Sequence, residues 1–124
     1  MKKIIYISFA LLLMVSVASA QRDQAINIIS YNIRLNVASD GENAWPNRKD
    51  QVKALVKFHD ADILCVQEAL PLQVDQLLEN TNFAMEGVGR DDGKRAGEFS
   101  AIYFDKARFL KKDGGTFWLS ETPE

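Results

Sequence analysis

Apolar and polar residues along the chain alternate between two periods. Ile26 to Ile33 (INIISYNI) is rich in apolar and β-branched residues and predicts a strand. A polar loop follows over Asn36 to Asn43, with Gly41 among turn formers. From Pro46 to Phe58 the spacing turns helical. Pro46 suits a first turn, where its missing N–H costs nothing. Val52, Leu55, Val56 and His59 then recur at i, i+3, i+4 and i+7 as one buried stripe, with Lys49, Lys53 and Lys57 as a solvated row. Asp62 to Gln67 is continuously apolar at its centre, the pattern of a strand covered on both faces. Pro71 opens a second helix that runs to about Asn80, with Leu72, Val74, Leu77 and Leu78 facing inward. Strands are predicted over Phe83–Val88 and Glu98–Phe104, separated by the charged glycine loop 89–97. Phe109–Lys112 and Thr116–Leu119 flank a DGG turn and predict a hairpin. No internal repeat or linker interrupts the pattern, so residues 21–124 read as one α/β unit.

The first 20 residues stand apart. A positive Met1-Lys2-Lys3 start, an apolar run from Ile4 to Val17 and the small residues Ala18-Ser19-Ala20 form a secretory signal peptide. Cleavage near Ala20 would leave Gln21 first and send the product to the periplasm or outside the cell. The apolar run is too short for a stable membrane span.

Charge narrows the function. The chain has 124 residues with 15 basic and 17 acidic side chains. Setting residues 1–20 aside removes two lysines and no acid, taking the net charge from −2 to −4. That balance is unlike a general duplex-DNA binder and compatible with a site that collects a divalent cation. Cys65, the single cysteine, cannot form an intrachain disulfide and reads as a small buried hydrophobe. Nothing in the sequence argues for an oligomer.

Strand, helix, strand is a βαβ unit, with parallel strands and a right-handed crossover. Both strands then end at the same sheet edge, where open α/β sheets bind ligands. Asn32 ends the first strand and Glu68 the second. An amide oxygen and a carboxylate in one crevice suit Mg²⁺, which takes few carboxylates and completes its shell with water and phosphate oxygens. Two plainer readings stand beside this one. Asn32 also ends strands and begins turns, and Glu68 also favours the N-terminus of the helix that follows it.

The segments ISYNIR (29–34) and ADILCVQEAL (61–70), with the intervening WPNRKDQVKALVKFHDADIL, resemble the opening motifs of the endonuclease/exonuclease/phosphatase superfamily. The DNase I-like nucleases, inositol polyphosphate phosphatases and bacterial sphingomyelinases belong to it. GVGRDDGKRAGEFSAIYF (87–104) and DGGTFWLSETPE (113–124) resemble its exported bacterial branch.

The resemblance implies the N-terminal part of a DNase I-like four-layer α-β-β-α sandwich and Mg²⁺-dependent cleavage of a phosphate ester, with Mn²⁺ as a substitute metal. It makes Glu68 the metal-binding carboxylate and Asn32 the residue that orients the metal or a phosphate oxygen. Arg90, in a loop between strands, would grip phosphate, and Glu98 would join the site; Asp91 and Asp92 would shape the turn. The superfamily's catalytic His, general-base Asp and GDxN segment come later than the residues present here, and His59 does not match the catalytic position. The expectation is therefore a domain cut short, inactive by itself. A non-catalytic phosphate-binding module and a non-functional fragment are the alternatives.

Overall fold

A computed structural model describes residues 25–119. The expected signal peptide and residues 120–124 lie outside the described residues. The elements run in the order β1 (Ile28–Asn32), α1 (Trp45–Phe58), β2 (Ile63–Ala69), α2 (Pro71–Leu78), β3 (Phe83–Glu86) and β4 (Phe99–Asp105), with a 3-10 turn at Ala38–Asn43 between β1 and α1. They form a mixed α/β structure with one four-stranded sheet in the order β1-β2-β4-β3. β1 and β2 are parallel neighbours, as the βαβ reading requires, with Ile29 beside Leu64 and Asn32 beside Gln67. β4 runs antiparallel to both β2 and β3.

The two helices cover one face of this sheet. Leu64, Val66, Ala101 and Tyr103 point from β2 and β4 into a core completed by Trp45, Val52 and Val56 of α1 and Val74 and Leu77 of α2. Their burial follows from strand alternation, since residues two apart share a face. The other face carries Ile28, Cys65 and Ile102. Ile28 is 64% exposed and Ile102 48%, and Cys65, expected to be buried, is only half-buried. The described residues thus supply one helix layer and one sheet of the expected four-layer arrangement.

Several local expectations change. Leu55 and Leu72 are exposed rather than inward. A helix turns about 100° per residue, so the faces set by Val52 with Val56 and by Val74 with Leu77 rotate both leucines toward solvent. His59 is likewise exposed and caps α1, its N–H donating to the Leu55 carbonyl at 3.1 Å. Lys53 leaves the solvated row. Its ammonium donates to the carbonyls of Gln76 and Glu79, both at 3.0 Å, satisfying the C-terminal end of α2. The DGG hairpin does not form: residues 110–119 are exposed and unpaired into strands. An isolated two-stranded hairpin gains too little buried surface to hold itself, and Asp113 instead accepts from the N–H of Gly114 at 2.8 Å.

Candidate functional site

Parallel pairing brings the C-terminal ends of β1 and β2 to one edge. There the Asn32 side-chain amide donates from Nδ2 to Glu68 Oε1 at 2.8 Å. The second carboxylate oxygen of Glu68 accepts from the N–H of Leu35 at 3.4 Å. The Asn32 amide oxygen accepts from the N–H of Arg34 at 2.9 Å. The amide therefore spends its N–H on the carboxylate and its oxygen on its own turn.

Glu68 does not sit on a regular strand end. The β2–β4 register shifts between Val66 and Ala69, and Glu68 occupies this bulge with φ of 60°. Arg34 on the opposing turn also has a left-handed backbone, φ 58°. Each such non-glycine conformation costs on the order of 1–2 kcal/mol. A bulge of this kind re-aims a side chain, and strained residues gather at ligand sites.

A buried frame holds the strained turn. Gln73, fully buried at the start of α2, accepts from the N–H groups of Asn36 at 2.9 Å and Leu70 at 3.1 Å, and donates to the Arg34 carbonyl at 2.9 Å. Arg48 of α1 donates to the carbonyls of Ile33 and Arg34, the latter at 2.6 Å, and lies over the Trp45 ring. Every element of the βαβα segment thus fixes the backbone between Asn32 and Asn36. The reading from sequence missed Gln73 and Arg48. A Gln three residues beyond a helix N-cap is a known signal, but the cap here is Leu70, which hides it.

Charge at the edge is ordered. The Asn32 hydrogen bond, helped by the Leu35 N–H and the Arg34 charge, holds the Glu68 carboxyl below its ordinary value against the cost of lost solvation. Asp40, from the 3-10 turn, accepts from Arg34 Nε and Nη2, both at 3.1 Å. This pair lowers the Asp40 pKa and raises that of Arg34, to which Glu68 and Glu98 also contribute by charge.

Glu98 lies just before β4, close to the same edge. Its carboxylate pairs with Arg90 at 3.5 Å, and its carbonyl accepts from the Arg90 N–H at 3.0 Å. Arg90 is exposed and also meets Asp91 at 3.4 Å. Asp92 closes the loop, accepting from the N–H groups of Lys94 and Ala96, each at 2.8 Å. Gly97 has φ of 82°, and a Cβ there would collide with the Asp91 carboxylate.

Among the described residues no group of three or more His, Cys, Asp or Glu side chains could hold a metal ion. The donor set is one anionic carboxylate with polar neighbours. That set fits a hard cation that keeps most of its shell for water and substrate oxygens, as Mg²⁺ does. The Asn32 oxygen accepts one hydrogen bond, from the Arg34 N–H, and keeps a second lone pair, while its N–H orients the carboxylate.

Comparison with known proteins identifies the family. The chain matches the Endonuclease/Exonuclease/phosphatase family over residues 29–123. It is similar to the crystal structure of the endonuclease/exonuclease/phosphatase from Bacteroides vulgatus, at 38% identity and a TM-score of 0.76, covering 80% of this chain and 38% of that one. The mannosyl-6-phosphatase of Bacteroides thetaiotaomicron VPI-5482 is 38% identical with a TM-score of 0.76, over 79% of this chain and 38% of that one. The 2′,3′-cyclic phosphatase ANGEL2 is 26% identical with a TM-score of 0.53, over 67% and 28%. The chain thus spans well under half the length of these solved relatives. None of the curated proteins matches it. With a family match over most of its length and relatives at 38% identity, the chain belongs to the endonuclease/exonuclease/phosphatase family.

Proposed function

We propose that this chain carries the metal-holding edge of a Mg²⁺-dependent phosphate-ester hydrolase. The observation that carries this is the 2.8 Å bond from Asn32 to Glu68, which aims an anionic carboxylate from a bulged strand. Glu68 holds the metal and Asn32 fixes the carboxylate's rotamer and charge. When bound, Mg²⁺ neutralises charge on the phosphoryl group and the leaving oxygen. Arg90 faces the substrate phosphate from the neighbouring loop, and Glu98 keeps its guanidinium in place. Phosphatases among the solved relatives support a phosphate-ester substrate.

The described residues place no histidine at this edge. His59 is the only His in the sequence, and it precedes β2, whose far end bears Glu68. Seven strand residues put roughly 20 Å between them. The chain by itself should bind metal and turn over no phosphate ester. Calorimetry with Mg²⁺ on the chain and its Glu68→Gln variant tests the reading. We expect binding only with Glu68; equal affinity in the two proteins would overturn it. Mg²⁺-dependent hydrolysis by the chain alone would overturn the second part.

A further inference from the structure

The bidentate contact between Arg34 and Asp40 uses only one edge of the guanidinium. Asp40 takes Nε and Nη2, the side-on pair. The end-on pair, Nη1 with the second hydrogen of Nη2, has no hydrogen-bond partner among the described residues. An Arg fork of this kind matches two oxygens of one phosphate. The side chain is 54% exposed and Asp40 18%, so the anchor is half-sheltered while the grip faces solvent.

The placement is specific. Arg34 follows Asn32 by two residues, on the strained turn whose carbonyl is pinned by both Arg48 and Gln73. Asp40 fixes the guanidinium in turn. Few of the side chain's rotamers remain to be frozen when an anion arrives, the condition under which a contact adds most to affinity. Leu35, the next residue, donates its N–H to Glu68 at 3.4 Å, so the turn that carries Arg34 adjoins the carboxylate, and the charges of Glu68 and Glu98 act on the guanidinium.

We propose that Arg34 grips two non-bridging oxygens of the substrate and thereby selects phosphomonoesters over phosphodiesters. The inference rests on the metal-site reading above. Selection follows from counting oxygens. With one oxygen on the metal, a monoester has two non-bridging oxygens left for the fork and a diester has one. No bond is made or broken by Arg34; it positions the phosphoryl group.

The test uses the full chain with Mg²⁺ and two probes, inorganic phosphate for the monoester and dimethyl phosphate for the diester. The wild type should bind phosphate more tightly. Arg34→Lys keeps the charge and loses the fork, so it should lose about tenfold in phosphate affinity, with dimethyl phosphate changing less than about threefold. Asp40→Asn removes the anchor but keeps the fork and should retain the preference in direction. If Arg34→Lys keeps the wild-type ratio, charge alone suffices and the proposal fails. If Arg34→Lys and Asp40→Asn lose the ratio equally, Arg34 only braces the turn and the proposal fails as well. Failure of the metal-site reading has a different signature: Mg²⁺ and Glu68→Gln would leave phosphate binding unchanged.

Discussion

Asn32 hydrogen-bonds to Glu68 although the register of β1 and β2 pairs Asn32 with Gln67. The bulge in β2 makes the difference, carrying the carboxylate one residue along the sheet edge to meet the amide. Asn32→Ala should leave the fold intact and loosen the carboxylate. Residues that orient a metal ligand contribute about 10–100-fold to metal affinity, so Mg²⁺ binding should weaken at least tenfold by calorimetry.

The same bond sets a pH dependence. The folded-state pKa of Glu68 lies below the ordinary 4.5. A depressed carboxyl contributes above its unfolded pKa, and the contribution is lost as pH falls through the folded value. Mg²⁺ binding should therefore persist below pH 4.5 and fail only in stronger acid. In Asn32→Ala the loss should move to higher pH. An NMR titration of the Glu68 side chain reads both values, and identical values in the two proteins would refute the coupling.

Gln73 is the buried joint of the site. Replacing it by Leu keeps its volume but strips two backbone N–H groups of their acceptor. Each buried unsatisfied group costs about 1–3 kcal/mol, so urea denaturation should show a loss of about 2–4 kcal/mol. The Arg34 carbonyl keeps its bond from Arg48, which limits the damage on that side.

Gly97 makes the sharp return of the charged loop into β4. Alanine there meets both a left-handed backbone and the Asp91 carboxylate. Gly97→Ala should cost about 1–3 kcal/mol and weaken the pairing of Arg90 with Glu98, visible as faster amide exchange at Arg90. His59→Ala makes a useful contrast: at an exposed helix end it should change stability by less than about 0.5 kcal/mol and leave Mg²⁺ affinity untouched.

Export is checked on the product itself. Intact mass of material recovered outside the cytoplasm should correspond to a chain that begins at Gln21. A product that retains Met1 to Ala20 would refute cleavage there.

Much of this was legible from residue patterns. The run ILCV marked a strand, though among the described residues only its Leu64 and Val66 face is covered, and the helix between it and INIISYNI made the two strands parallel. That topology alone placed Asn32 and Glu68 at one edge. The pattern could not reveal the bulge, because an extra residue in a strand leaves the run of residue types unchanged. It also could not reveal Gln73 or Arg48, which act on backbone carbonyls and N–H groups far along the chain. Leu55 and Leu72 show the matching limit. Their hydrophobicity suggested burial, but a helix of fixed pitch has one inward face, and their neighbours occupied it.

The amino-acid order by itself determined the βαβ core, its parallel pairing and a carboxylate at the C-terminal sheet edge, though not the hairpin expected at 109–119, because local propensity and crossover handedness are short-range properties. Tertiary structure alone decided how that carboxylate is aimed. Only packing brings Asn32, Arg34, Asp40 and Gln73 around one strained turn, and only there do their hydrogen bonds hold Glu68 charged and Arg34 with one edge free.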